Sequence, residues 1–204
     1  MKRDNYKYIL IIIGSLVGIL TGYLRSFNPN SFLSLSDIAS KYGFWIVTVS
    51  LIPCFAKSVK KARIYTLEYL LSMCIAYYSY LLVVNDIFYF KQLLFWCIFS
   101  IITMLFVKYM YLGLRKEIDR SYLILLIPLI LLSLEILSLL NNFITYKTHF
   151  LQLAFDVFGY VVLLFLFYNN WQERAKTAGV SIGIAIIICL FFEILRFLQD
   201  ILIF

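Results

Sequence analysis

Apolar residues are gathered into seven long runs along this chain, and short polar gaps separate the runs. A helix needs about 20 mainly apolar residues to cross a bilayer, where its backbone polar groups must bond within the segment. The pattern therefore predicts an all-α, polytopic helical bundle in a single transmembrane domain, residues 1–204. The predicted spans cover residues 8–24, 42–56, 64–84, 92–112, 121–140, 150–168 and 180–203.

The basic residues are distributed unevenly between the two ends of these runs. Most of the 18 Lys and Arg residues fall in every second gap, and cytoplasmic loops carry an excess of such residues. The asymmetry predicts an N-terminus inside and a C-terminus outside. The second run is short and contains Pro53. If it did not cross, every later loop would lie on the opposite side.

The amino-acid composition excludes an ordinary soluble domain. The chain is 63% hydrophobic and 14% charged, whereas a soluble domain is about half apolar and a quarter charged. The formal net charge of +7 follows from the basic loops on one side, so we expect a lipid bilayer and no nucleic acid as partner. The four cysteines fall inside the spans, where thiols fill apolar space, and we expect no disulfide.

Ionisable residues inside three consecutive spans are the strongest functional candidates. With a rise of about 1.5 Å per residue, Glu135, Asp156 and Glu193 all lie roughly 20 Å from the inner boundary, and Arg196 lies one turn beyond Glu193. Charge in hydrocarbon is costly, so such residues face the bundle or a cavity. They predict an outward-half polar pocket for a cation, a proton or a small polar solute. The alternative is structural: Glu193 pairs with Arg196, and the other two acids bond to neighbouring helices.

Three tyrosines in the third span, Tyr77, Tyr78 and Tyr80, lie at about the depth of the acids. Phenol hydroxyls in lipid require hydrogen-bond partners, so at least one is expected to point at the polar level. Lining of the pocket and packing in the core both fit this pattern. Glu68, one turn into the same span, is expected to pair with nearby Arg63 or to reach the interface.

Small residues recur every fourth position in two spans. Gly14, Gly18 and Gly22 form one stripe, and Gly179 and Gly183 form another. Small residues at this spacing let membrane helices approach closely. Each stripe predicts either packing inside the bundle or docking of a partner membrane protein or a second copy.

Two further features of the sequence are the segment 31–39 and the lack of metal-ligand or catalytic motifs. Apolar residues within 31–39 predict a short helix on the outer surface, which is either a plain interfacial segment or a lid. His149 is the single histidine, and no group of residues has metal-ligand spacing or a catalytic motif. We therefore expect no metal, no cofactor and no enzyme activity.

The segments Lys41-Tyr-Gly-Phe-Trp45, 58–62 and Met73-Cys-Ile-Ala-Tyr-Tyr78 resemble a group of small, uncharacterised bacterial multi-spanning membrane proteins. Members of that group share a Trp at the start of the second span, a basic inner loop and an Ala-Tyr-Tyr in the third span. The resemblance implies a bacterial plasma membrane and no activity. Chain size and the first glycine stripe also look like the substrate-binding subunits of energy-coupling-factor vitamin transporters, which have six spans rather than seven.

These observations lead to two hypotheses of different classes. The first is a small-solute or ion binding or transport component with its site in the outer half of the membrane. The second is an accessory or immunity-type membrane protein that acts through helix contacts and transports nothing itself.

Overall fold

The computed structural model describes residues 5–28, 31–37, 41–117 and 121–202, with the backbone alone at 121 and 194–202. These residues form seven helices and no strand, which confirms the all-α prediction. The helices are α1 (Asn5–Leu24), α2 (Gly43–Phe55), α3 (Val59–Asn85), α4 (Phe90–Leu114), α5 (Ser121–Tyr146), α6 (Phe150–Phe167) and α7 (Trp171–Leu202).

Six of these helices, all except α2, are long and apolar enough to cross a membrane. The chain is therefore a multi-pass membrane protein. α3 and α7 begin before the apolar runs that predicted them, at Val59 and Trp171. For α3 the reason is local: the Ser58 hydroxyl accepts a hydrogen bond from the Lys61 amide at 3.3 Å, so the polar first turn is capped and helical.

α1 and α3 run parallel and side by side. A Cβ on Gly14 would meet the Tyr69 carbonyl oxygen, and one on Gly18 would meet that of Met73. Residue numbers thus increase in the same direction along both helices. At the start of this pair, the Lys7 ammonium contacts the Glu68 carboxylate at 2.9 Å. Since α1 and α3 begin at the same end of the bundle, residues 25–58 return from the far end, and α2 lies on that return.

α2 occupies the centre of the bundle. It contacts α3, α4, α5 and α6, and its side chains Val47 and Val49 belong to the main apolar core. Its 13 residues span only about 20 Å, whereas the hydrocarbon core of a bilayer is about 30 Å thick. α2 therefore cannot reach both faces of a bilayer: its first residue, Gly43, is buried, whereas Phe55 at its other end is 74% exposed.

The segment before α2 differs from its prediction at residues 31–36, whereas Asp37 is helical. Residues 31–36 form turns rather than a surface helix, and residues 38–39 of the predicted helix lie outside the described part of the chain. The hydroxyls of Ser34 and Ser36 bond to each other at 2.9 Å, and both side chains are buried. Serine side chains that form local hydrogen bonds compete with helix formation, which accounts for the turns.

Candidate functional site

The start of α2 is a helix N-terminus whose first residue, Gly43, is buried, although the Tyr42 side chain before it is 67% exposed. The first amides of a helix have no partner within it and carry partial positive charge. Tyr42 precedes α2 and provides no side-chain cap. Glu135 of α5 takes that role, because its Oε1 accepts a hydrogen bond from the Tyr42 amide at 3.0 Å. A buried acid thus caps a helix from a different part of the chain.

A second acid reaches the same place from α6. The Asp156 carboxyl packs directly on Gly43, the first residue of α2, so that any side chain at position 43 would overlap with it. The Gln152 amide donates to Asp156 Oδ1 at 2.7 Å. Glu135, Gln152 and Asp156 are 4%, 2% and 0% exposed, so these groups are removed from solvent.

A third acid, Asp37 in the segment before α2, lies within electrostatic range of this pair. Asp37 is 1% exposed, and its Oδ2 contacts His149 Nδ1 at 2.7 Å. The segment 31–37 is held on the turn between α5 and α6, since the His149 and Phe150 amides donate to the carbonyls of Ser31 and Phe32. The Phe32 ring also stacks on that of Phe150, with centroids 5.0 Å apart.

Each of the three acids keeps one oxygen that is buried and has no hydrogen-bond partner among the described residues: Asp37 Oδ1, Glu135 Oε2 and Asp156 Oδ2. Asp37 and Lys41 both lie within electrostatic range of Glu135 and Asp156. One ammonium therefore faces three carboxyl groups. Buried charge that is not compensated is costly, so this arrangement favours uptake of positive charge. We refer to Asp37, Glu135 and Asp156 as the acid site.

A cleft at the surface of the protein, where α5 is followed by α6, adjoins the acid site. It has a volume of about 450 Å³ and is open to the outside. Its lining residues are Asn142, Tyr146, Thr148 and His149. Because His149 also contacts Asp37, its imidazole connects the lining of the cleft with the acid site.

The structure brings together two of the predicted pocket residues, Glu135 and Asp156, and separates the others from them. Glu193 is exposed on α7, and the side chain of Arg196 lies outside the described residues. The exposure has a simple cause: α7 packs mainly against α5, and Glu193 lies on a different face of α7 from the buried Ser181 and Ala185.

The three tyrosines lie on the other side of α3, towards α1 and α4. Tyr77 accepts a hydrogen bond from Arg25 Nη1 at 2.9 Å, which raises the pKa of the Arg25 guanidinium above its usual value. Tyr78 is buried near the Trp96 side chain, and the Tyr80 ring packs on Gly22. The three tyrosines thus contact α1, α4 or Arg25, and none has a described contact with the acid site.

The two glycine stripes have different surroundings. Gly14, Gly18 and Gly22 are buried against α3, so the first stripe packs inside the bundle. A Cβ on Gly179 or Gly183 would meet no described atom within 4 Å. The second stripe therefore has no packing partner among the described residues of this chain.

Glu68 is a paired charge, one of the two predicted alternatives, but its partner is Lys7 of α1 and not the nearby Arg63. Both Glu68 and Arg63 are on α3, but the parallel α1 brings Lys7 to the Glu68 carboxylate. α1 and α3 are neighbours in the bundle, but α2 lies between them in the sequence. The spacing of residues along the chain therefore does not predict this contact.

Sequence reasoning missed four parts of the site: Asp37, His149, Gln152 and the Tyr42 amide. A weak signal existed for two of them. Asp37 is an acid within an otherwise apolar and serine-rich segment, and His149 borders a span. Nothing in the linear pattern indicates that these two residues meet.

Comparison of the chain with protein-family models, curated proteins and solved structures finds no match. Within the described ranges, no three His, Cys, Asp or Glu side chains are placed to hold a metal ion.

Proposed function

We propose that this protein is a component of small-solute or ion binding or transport, and that the acid site is where its ligand binds. The proposal places it in a bacterial plasma membrane, with seven crossings, the N-terminus inside and the C-terminus outside. The positive-inside asymmetry and the return path of residues 25–58 support this arrangement. It assigns the protein no catalytic activity, metal or cofactor.

The observation that carries the proposal is the set of three buried carboxyl oxygens without partners. Ionisable groups within membrane spans are rare, and they mark ion pathways and proton relays. Capping of α2 accounts for one oxygen of Glu135 but does not require Asp156 and Asp37 at the same place. A cation, a proton or the polar end of a small solute would satisfy the remaining oxygens.

The proposal is tested by the thermal stability of the purified protein in nanodiscs. Unfolding is followed in chloride salts of Li⁺, Na⁺, K⁺ and NH₄⁺, with N-methylglucamine holding the ionic strength constant, and over a series of pH values. A ligand at a hundred times its Kd stabilises the folded state by about 2.7 kcal/mol. We expect at least one cation, or the pH, to shift the melting temperature through the acid site.

The decisive comparison uses three variants. Asp156→Asn and Glu135→Gln should lose this dependence, and Glu193→Gln, an exposed acid in the membrane, should keep it. Equal responses of the wild type and Asp156→Asn to every cation and to pH would refute binding at the acid site.

A second candidate function, attachment to a partner membrane protein, is favoured by one face of α7. Gly179, Gly183 and Glu193 lie along this face by helical spacing, and Glu193 is exposed there. Because a carboxylate facing lipid is costly, we infer a partner helix with a small-residue face that carries a basic side chain at the level of Glu193.

This attachment is tested by site-specific photocross-linking in intact membranes. A photoreactive residue at position 179 should yield one discrete adduct, which Glu193→Leu should abolish. The control position is Val83, which is 84% exposed on α3. Equal, diffuse labelling at positions 179 and 83 would show that lipid alone covers α7, and an adduct with a second copy would identify a homo-oligomer instead.

A further inference from the structure

We infer that the ligand of the acid site is the proton, and that it reaches Asp37 from the outer cleft through the His149 imidazole. This inference rests on the proposed function and specifies its ligand. It depends on three placements already described: the cleft in front of His149, the 2.7 Å contact of His149 Nδ1 with Asp37 Oδ2, and the unpartnered oxygens behind them.

The space available favours a proton over larger ligands. The three acids are between 0% and 4% exposed, and Gly43 already touches the Asp156 carboxyl. The acids are also not arranged as metal ligands among the described residues. A proton adds positive charge without requiring a cavity or a coordination shell, and it turns an oxygen that only accepts into a donor.

Four neighbouring segments place titratable or charged groups near the site. They are Asp37 from the outer segment, Lys41 before α2, Glu135 of α5, and His149 and Asp156 at and within α6. α2 itself contributes its amides and the Gly43 backbone. Among the described residues, the site thus contains three carboxyl groups, one ammonium group and one imidazole.

The transfer step is balanced within the His149–Asp37 pair. Water in the cleft delivers a proton to Nε2 of His149, and the ring then carries a proton on each nitrogen. The Nδ1–H bond breaks, the O–H bond of Asp37 Oδ2 forms, and the ring is left neutral with its proton on Nε2. Asp37 then shares the proton with Glu135 and Asp156 as their carboxyl groups reorient.

The relay is tested by infrared spectroscopy of the full-length protein in nanodiscs. The carbonyl stretch of a protonated carboxylic acid reports the bound proton directly. We expect a band that disappears as the pH is raised and that Asp156→Asn or Glu135→Gln reduces, whereas Glu193→Gln leaves this component unchanged. Absence of the band at every pH overturns the inference.

The route is tested by switching the buffer to D₂O and following the isotope shift of that band. His149→Leu and Asp37→Asn should each slow the exchange by about a hundredfold, the lower range for loss of a proton-transfer group. The matched control, Tyr146→Phe, alters the same cleft without altering the relay. Asp37→Asn keeps an oxygen that accepts from His149, so it tests the route even if His149→Leu unfolds the protein.

Each result separates the inference from the function on which it rests. Unchanged exchange in both variants overturns the His149 route. If the band is absent and Na⁺ stabilises the protein through Asp156, the ligand is not the proton, but ion binding at the acid site still stands. Loss of the band without any effect of cations or pH overturns both.

Discussion

At the scale of single residues, the informative feature is that each buried acid has one satisfied and one unsatisfied oxygen. Glu135 bonds to the Tyr42 amide, Asp156 to Gln152 and Asp37 to His149. The satisfied oxygens explain how these side chains are held in place. The unsatisfied oxygens are not needed for folding. An apolar group in the place of each would avoid the free-energy cost of burying an acceptor without a partner.

Two substitutions at Glu135 separate its capping role from its charge. Glu135→Gln retains a side-chain oxygen that accepts from the Tyr42 amide, so we expect the protein to remain folded. Glu135→Leu leaves that amide buried and unpaired, which costs about 1–3 kcal/mol. The measurement is thermal unfolding in detergent. Equal melting temperatures of the Gln and Leu variants would contradict the capping role.

At the scale of helices, close backbone approach holds α1 to α3. The Gly18 Cα faces the Met73 carbonyl, and Gly22 faces the Tyr80 ring. Small residues allow such contact in membranes, where van der Waals packing rather than hydrophobic burial drives helix association. The stripe on α7 has the same composition and no such contact, so composition alone does not identify a helix interface.

A pair of identical substitutions compares the two stripes. Gly18→Ala forces a methyl group against a backbone carbonyl that cannot move aside, and we expect a loss of about 1–3 kcal/mol, as for an overpacked core. Gly179→Ala enters open space and should leave stability unchanged or slightly raised, because alanine favours a helix. Both are measured by thermal unfolding of the purified protein. Equal destabilisation by the two would disprove the packing difference.

At the scale of the whole molecule, the short α2 organises the bundle. It lies among four longer helices, and its first residue, Gly43, is buried. Glu135 lies eleven residues before the end of α5 at Tyr146, which is about 16 Å along the helix axis. Polar groups at that depth require partners from the protein, and this requirement concentrates acids where α2 begins.

The topology is tested with single cysteines in a background from which the native ones are removed. Exposed positions Lys60 and Asn170 should react with a membrane-impermeant maleimide only in inverted vesicles. Ile87 and Lys147, also exposed, should react in intact cells. The opposite pattern, with position 60 reactive in intact cells and position 87 reactive only in inverted vesicles, would contradict the crossing of residues 25–58. The substituted native residues are Cys54, Cys74, Cys97 and Cys189.

Hydropathy along the chain by itself determined the class of the protein and the position of its helices, since burial in lipid depends on local composition. It also placed Glu135 and Asp156 at one depth, because depth follows from distance along a helix. The direction of each side chain around its helix axis was decided only by packing. For this reason Glu193 lies on an outer face, whereas Asp37 and His149, 112 residues apart, form the contact between the cleft and the buried acids.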